Sequence, residues 1–433
     1  MQQKTDNFLR KYNMHYDTID LERETKLFQD QMQTGLRAEK SSLQMIPTFI
    51  TVIDELPANK EVIVMDAGGT NFRVASVCRE ESGKMTISNF EKRPMPGTKG
   101  LLNASQFFEE LADLLETVLK KSDAETVGFC FSFPTEILPG KDGRISGFSK
   151  ELKVDGAIGQ LVGENLNAII TKRGYKPRHF VLLNDTVATM LGGMTASVDK
   201  KYSGYIGYIL GTGTNTCYLE KCSNIHKSAD AKAMQGLMAI NCESGSYDGF
   251  AQGEFDKELD KESTAPGTYQ MEKMVSGAYQ GTSIYKTVRG AVKDGLFSEN
   301  FSKGFSGFAN FTMPQIDMFC ADRKGSNDLA VLAPDDEDNE TLFEIIDASF
   351  ERSARMTAII FAALILQTEN GKNQSEPVCI TGEGTSFTKS VLFRPKLNAY
   401  IKDYLNDKLG VYCEIISVED ATLCGSTAAA LMD

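Results

Sequence analysis

Hydrophobic residues along this chain recur with two different periods, and the switches between them outline its elements. In SQFFEELADLLETVLKK, Phe107, Leu111, Leu114, Leu115 and Val118 share one face at helical spacing, which predicts an amphipathic helix. Residues 1–58 carry similar spacing, with Leu21, Phe28 and Met32 among charged neighbours, and are expected to be helical before Pro57. EVIVMDAGGTNFRVASV reads instead as two apolar runs broken by glycines, a strand–turn–strand unit. ETVGFCFSFP and FVLLND are short apolar runs expected as strands, with a helix near GAIGQLVGENLNAII between them. At Gly204 the opening pattern returns: GYIGYILGTGTNTCYLEK is again strand, Gly/Thr turn and strand. PVCITGEGTSFTKS adds a strand that runs into a Gly-rich loop and a helix. The apolar stretch AIIFAALIL (Ala358–Leu366) is too short to cross a bilayer and predicts a buried helix. Acidic PDDEDNET (Pro334–Thr341) is expected to be a solvated loop.

Composition narrows the classes. A chain of 433 residues exceeds one ordinary core, so two domains are expected. A net charge of −13 argues against a nucleic-acid partner, whose phosphates need basic surface, but leaves room for a small anionic substrate at a local site. Nine cysteines without a C-x-x-C pair, with only three histidines, give no zinc pattern. Free thiols and an N-terminus without an apolar signal core lead to the expectation of a soluble cytoplasmic protein.

The candidate chemistry gathers at the glycine turns. A Gly/Thr turn between strands can aim several backbone N–H groups at one anion without side chains in the way. Thr70 and Thr212 add hydroxyls, Arg73 could offset charge on a transferred phosphoryl group, and Asp66 could hold water around a magnesium ion. Gly-Gly between strands also makes an ordinary hairpin, so one such turn alone says little. None of the Gly-Lys pairs is followed by Ser or Thr, no G-x-G-x-x-G is completed, and no His-Arg-Asp triplet occurs. Any nucleotide would therefore sit between hairpins.

With these segments in order, the chain resembles the hexokinases of the sugar kinase, Hsp70 and actin superfamily. MDAGGTNFRV is similar to that family's first phosphate motif, and NDTVATM with ILGTGTN to its second. FSFP and GFSK resemble its sugar-contacting segments, INCESGSY and MEKMVSGAY its two glutamate motifs, and ITGEGTSF its adenosine loop. The resemblance implies an α/β fold of two actin-like (ribonuclease H-like) domains with mixed sheets flanked by helices around a central cleft. Residues 60–195 with 417–433 would form the smaller domain, and 1–59 with 196–416 the larger.

The implied reaction transfers the γ-phosphoryl group of ATP, with Mg2+, to a hexose. O6 of glucose is the first expectation, with mannose and fructose as alternatives. Asp185 is then the base, with Lys150 and Arg73 as further catalytic groups, although Asp185 alone would read as a helix N-cap. Ser132, Ser149, Lys150, Asn184, Asp185, Asn241, Glu243 and Glu272 would hold the sugar. Asp66, Gly68, Gly69, Thr70, Asn71, Gly211, Thr212, Gly213, Thr214, Gly382, Gly384 and Thr385 would hold the nucleotide, and Asp66 the metal through water. Arg355 and Met356 are assigned to packing. The chain departs from the family in having no tryptophan, in carrying Phe148 before Ser149 where Thr is usual there, and in the wording SFPTE. These changes touch the walls of the sugar pocket. The rival reading is a sugar-sensing regulator that has lost catalysis, and a nucleotide-operated actin or chaperone relative is a further one. Loss of the Asp or of the phosphate turns would favour the regulator, and both are intact.

Overall fold

The computed structural model describes every residue except 1, 54, 70, 149–151 and 198–199. Two mixed sheets organise it. The five-stranded sheet runs in the order Met85–Pro94, Asn71–Arg79, Glu61–Gly68, Thr126–Phe131, His179–Leu183. The six-stranded sheet runs Ile46–Thr51, Leu237–Asn241, Thr214–Lys221, Gly204–Leu210, Val378–Glu383, Cys413–Ile416. In each, a hairpin opens the unit, a third strand joins it antiparallel, and two later strands add in parallel on the other side. The repeat seen in the sequence at Gly204 is thus a repeat of topology.

The two last strands of these units are each followed by a helix, Asp185–Ala196 and Ala421–Leu431, and these helices pack on one another. Their placement is crossed. The helix Asp185–Ala196 lies mainly against the six-stranded sheet, and Ala421–Leu431 against strands Glu61–Gly68 and Thr126–Phe131 of the other. Two glycines permit the close crossing: a Cβ on Gly192 would stand 2.4 Å from the Ala421 carbonyl oxygen, and one on Gly425 1.8 Å from that of Ala188.

Most core residues lie beneath the six-stranded sheet, around the 33-residue helix Asp336–Thr368, in which Ala358–Ile365 are fully buried. That helix corrects the loop expected at Pro334–Thr341. Asp335 is its N-cap and Asp336, Glu337 and Asp338 fill its first turn, where carboxylates meet the positive end of the helix dipole. Asp338 is itself buried and accepts from the Ser298 amide and hydroxyl. A second correction concerns residues 1–58. Helices cover Gln2–Lys11 and Leu21–Leu36, but Ile46–Thr51 is an edge strand paired with Leu237–Asn241. Met356 is buried, and Arg355 donates to the Ile19 carbonyl and lies over the Tyr16 and Tyr400 rings, so both residues pack.

Candidate active site

The first hairpin closes between Gly68 and Asn71, and Gly69 turns it at φ +55° with nothing within 4 Å of where a Cβ would stand. Behind this open turn, Arg73 donates to Asp66 from Nε at 3.1 Å and again from a terminal nitrogen. The same guanidinium reaches Asp420 at 2.9 Å and the Thr422 hydroxyl at 3.0 Å, and Thr422 in turn donates to Asp66. The charge expected to face a phosphoryl group is therefore matched by two carboxylates. Asp420 and Thr422 begin the C-terminal helix, and the sequence reading had not singled them out. Ser132 follows the adjacent strand; a Cβ on Gly68 would lie 3.4 Å from its hydroxyl and 3.5 Å from Asp66 Oδ1. Ser132 thus stands beside the hairpin.

The second hairpin closes between Leu210 and Thr214. Its carbonyls are held from behind: Gly211 O accepts from the Gly277 N–H at 2.8 Å and Thr212 O from the Ala278 N–H at 3.3 Å. The helix Gly277–Lys293 thereby spends its first amides on the turn, and the Thr212 side is left exposed. The loop after Val378–Glu383 closes on the same turn. Gly384, at φ +106°, approaches so nearly that a Cβ would stand 2.3 Å from the Leu210 carbonyl oxygen, and Thr385 beyond it is exposed. Gly382 has a different task from the one expected. It is buried under Phe387, whose ring would lie 2.0 Å from a Cβ there, so its missing side chain serves packing. Glu383 lies between these groups: it accepts from the Ala421 backbone, and burial and the charge of Asp66 push its carboxyl up.

A chain of amides and carboxylates joins the turns. Asn184 caps the helix Asp185–Ala196 by accepting from the Thr186 N–H at 2.9 Å. Asn215 donates to Asn184 at 3.5 Å and to Asn241 at 2.8 Å, and Asn241 donates to Glu243 at 2.7 Å. Glu243 takes the left-handed conformation, φ +54°, which turns the chain out of the strand Leu237–Asn241. Glu272 accepts from the Thr214 N–H at 3.0 Å. Burial pushes both glutamates up, Glu272 also through the charge of Glu243.

Asp185 itself is not the N-cap; that role is Asn184's. Burial, aided by the charges of Glu243 and Asp66, pushes its carboxyl up to about 7, against the lowering effect of the Thr186 N–H. A carboxylate poised there can take a proton near neutral pH.

The structure thus places Asp66, Gly68, Arg73 and Ser132 at the five-stranded sheet and Asn241, Glu243 and the turn 211–214 at the six-stranded one, with Glu272 reaching that turn from the helix Gln270–Val275 and Asn184 and Asp185 at the head of the helix Asp185–Ala196. Thr70, Ser149 and Lys150 lie outside the described residues. Asn215, Glu383, Asp420 and Thr422 were missed as site residues, although Asn215 closes the quoted GTGTN and Glu383 lies inside GEGT. Phe148 packs edge-on against Phe107 and close to Phe133, at 5.5 and 5.7 Å between ring centres. It belongs to a run of phenyl rings through Phe133, Phe131 and Phe129 in the core of the five-stranded half. Among the described residues no cluster of His, Cys, Asp or Glu is arranged to hold a metal, and no helix is long and apolar enough to cross a membrane.

Known proteins share this fold. Two family models, each described as hexokinase, match residues 5–195 and 205–432. Hexokinase HKDC1 of Homo sapiens is 33% identical over 310 residues, which cover 68% of this chain and 32% of that protein. Hexokinase-1 of Spinacia oleracea is 28% identical over 434 residues, covering 93% of this chain and 84% of its own length. The chain therefore spans about a third of the human relative and most of the plant one. Among solved structures, a hexokinase from Schistosoma mansoni complexed with glucose superposes with a TM-score of 0.75 at 22% identity, covering 100% of this chain and 99% of its own. A second hexokinase structure gives a TM-score of 0.78 at 21% identity. The second of the two family models alone covers more than half the sequence. The chain belongs to the hexokinase family.

Proposed function

We propose that this protein is an ATP-dependent hexose kinase that transfers the γ-phosphoryl group to a hexose, with O6 of glucose as the first acceptor to test. The observation that carries this reading is Asp185: a carboxyl with its pKa raised to about 7, at a helix start between the open Gly/Thr hairpins and the Asn–Glu chain. A sugar hydroxyl is a poor nucleophile. Phosphoryl transfer needs it aligned with the γ-phosphate while a base accepts its proton. Asp185 takes that proton, and Asn184, Asn241, Glu243, Glu272 and Ser132 orient the other hydroxyls, since amides and hydroxyls both donate and accept while carboxylates accept. Ser149 and Lys150 complete this set in the sequence reading, Lys150 as a donor.

The nucleotide's phosphates meet the N–H groups of the turn Gly68–Asn71 and those of Thr212 and Gly213, and its adenosine lies by Gly384 and Thr385. Arg73, already matched by Asp66 and Asp420, acts by bracing the first hairpin and by adding field at the phosphates rather than as a free cation. Magnesium, where bound, would neutralise phosphate charge. Asp66, whose Oδ2 accepts from Arg73 and Thr422, fits an outer-sphere role for it as an acceptor from metal-bound water. In this reading residues 60–195 with 417–433 form the smaller domain and 1–59 with 196–416 the larger, with the cleft between them.

A coupled assay of the purified protein with ATP, magnesium and glucose, mannose, fructose and galactose tests the reading. Saturable turnover with at least one of them is expected. Sugar binding without turnover of any of them would overturn it in favour of a sugar-sensing regulator.

A further inference from the structure

The segment 272–278 grips the second hairpin turn at successive peptides. Gly277 and Ala278 hold the carbonyls of Gly211 and Thr212 through their N–H groups, and the Glu272 carboxylate holds the Thr214 N–H at 3.0 Å through Oε2. The fit is close as well as polar: a Cβ on Gly213 would stand 2.6 Å from that same oxygen, and one on Gly245 3.3 Å from it. The second oxygen, Oε1, makes no hydrogen bond among the described residues. One carboxylate thus has one oxygen committed to the turn and one available.

We propose that Glu272 is a positioning residue for the nucleotide, in addition to the sugar contact assigned to it under the proposed function, on which the second half of this inference rests. Through Thr214 it fixes the direction in which the N–H groups of Thr212 and Gly213 point, and these are the donors that meet phosphate. The hydrogen bond is charge-assisted, because the acceptor is a carboxylate in a shielded place. The next residue, Asn215, carries the connection on to Asn241 and Glu243. Occupation of Oε1 by a sugar hydroxyl and the geometry of the phosphate turn are then two demands on one side chain, so each ligand changes the affinity for the other by the same factor.

Titration calorimetry on the full chain separates the parts, with Mg-ADP added without sugar and glucose added without nucleotide. Glu272→Ala should lose roughly tenfold or more in Mg-ADP affinity in the absence of sugar, the usual effect of removing a hydrogen bond to a charged group. Glu272→Gln keeps an oxygen for the Thr214 N–H but offers an amide where a sugar hydroxyl needs an acceptor. It should hold Mg-ADP within about threefold of wild type while glucose weakens roughly tenfold. Unchanged Mg-ADP binding in Glu272→Ala, or equal loss in the alanine and glutamine variants, would overturn the positioning role. Unchanged glucose binding in Glu272→Ala would instead overturn the sugar contact and leave the positioning role standing.

Discussion

Asp185 carries the sharpest consequences of a single side chain. With its carboxyl raised to about 7, kcat should fall on the acid side with a midpoint near that value, provided the same group acts as base in the complex. Asp185→Ala should turn over roughly 10²–10⁴-fold more slowly, the usual effect of losing a positioned base. A variant with near-wild-type kcat would remove Asp185 from the chemistry. The same shift has a sign for stability. In the unfolded chain an aspartate titrates near its ordinary 3.8, and in the folded one near 7, so between these values only the folded state holds the proton. The stability linked to that proton is complete below about 3.8 and is lost as pH rises through 7. Asp185→Asn, which stays neutral, should therefore melt above wild type at pH 8, with the difference closing towards pH 4. Equal melting temperatures at pH 8 would mean that the carboxyl titrates normally. The sequence identified this residue through its neighbours Asn184 and Thr186. It could not reveal that Asn184, one position earlier, is the cap, sharing the Thr186 N–H with Asp185.

At the scale of elements, the loop after Val378–Glu383 is held to the second hairpin by an absence of side chains. Gly384→Ala would place a Cβ against the Leu210 carbonyl at a residue whose φ of +106° no alanine adopts without strain. The loop should be driven off the turn, and ATP affinity should fall at least tenfold while glucose affinity, assigned above to Asn184, Glu243 and Glu272, stays within a few-fold. Fluorescence or calorimetric titration of both ligands checks this, and unchanged ATP binding by the folded variant would separate the loop from the nucleotide. Both hairpins and this loop were legible in the sequence because their glycines interrupt strongly apolar strands. Ile46–Thr51 was not, because an isolated IPTFIT shows no more than apolar content and becomes a strand by pairing with a segment far along the chain. The same reason hides Asp420 and Thr422. Each is an unremarkable polar residue before a small-residue helix until the fold carries that helix onto the first sheet, where both meet Arg73.

For the whole molecule, the repeated topology bears on the ligand site proposed above. Each half begins with a glycine hairpin and ends with a helix laid partly on the other half, and the two helices Asp185–Ala196 and Ala421–Leu431 pack together where the halves meet. Order and period in the sequence were enough to read the duplication. The crossing was not readable, since it depends on Gly192 and Gly425 meeting the opposite backbone, and neither glycine sits in a turn. The proposed sugar contacts divide across this crossing: Ser132 belongs to the five-stranded side, and Asn241, Glu243 and Glu272 to the six-stranded side. A hexose can engage both sets fully only when they approach, so binding should shift the population towards a closed form that also excludes water, the rival acceptor of the phosphoryl group. Small-angle scattering should give a smaller radius of gyration with saturating glucose than without it. Asp185→Ala should compact as wild type does, because Asn184 and the glutamates still hold the sugar, although it no longer turns over at speed. Compaction lost together with catalysis in that variant would make Asp185 the main sugar anchor instead of the base. A radius unchanged by glucose in the wild-type protein would mean that the two sets of contacts already stand at their final separation, and exclusion of water would then have to come from the fixed walls of the site rather than from movement.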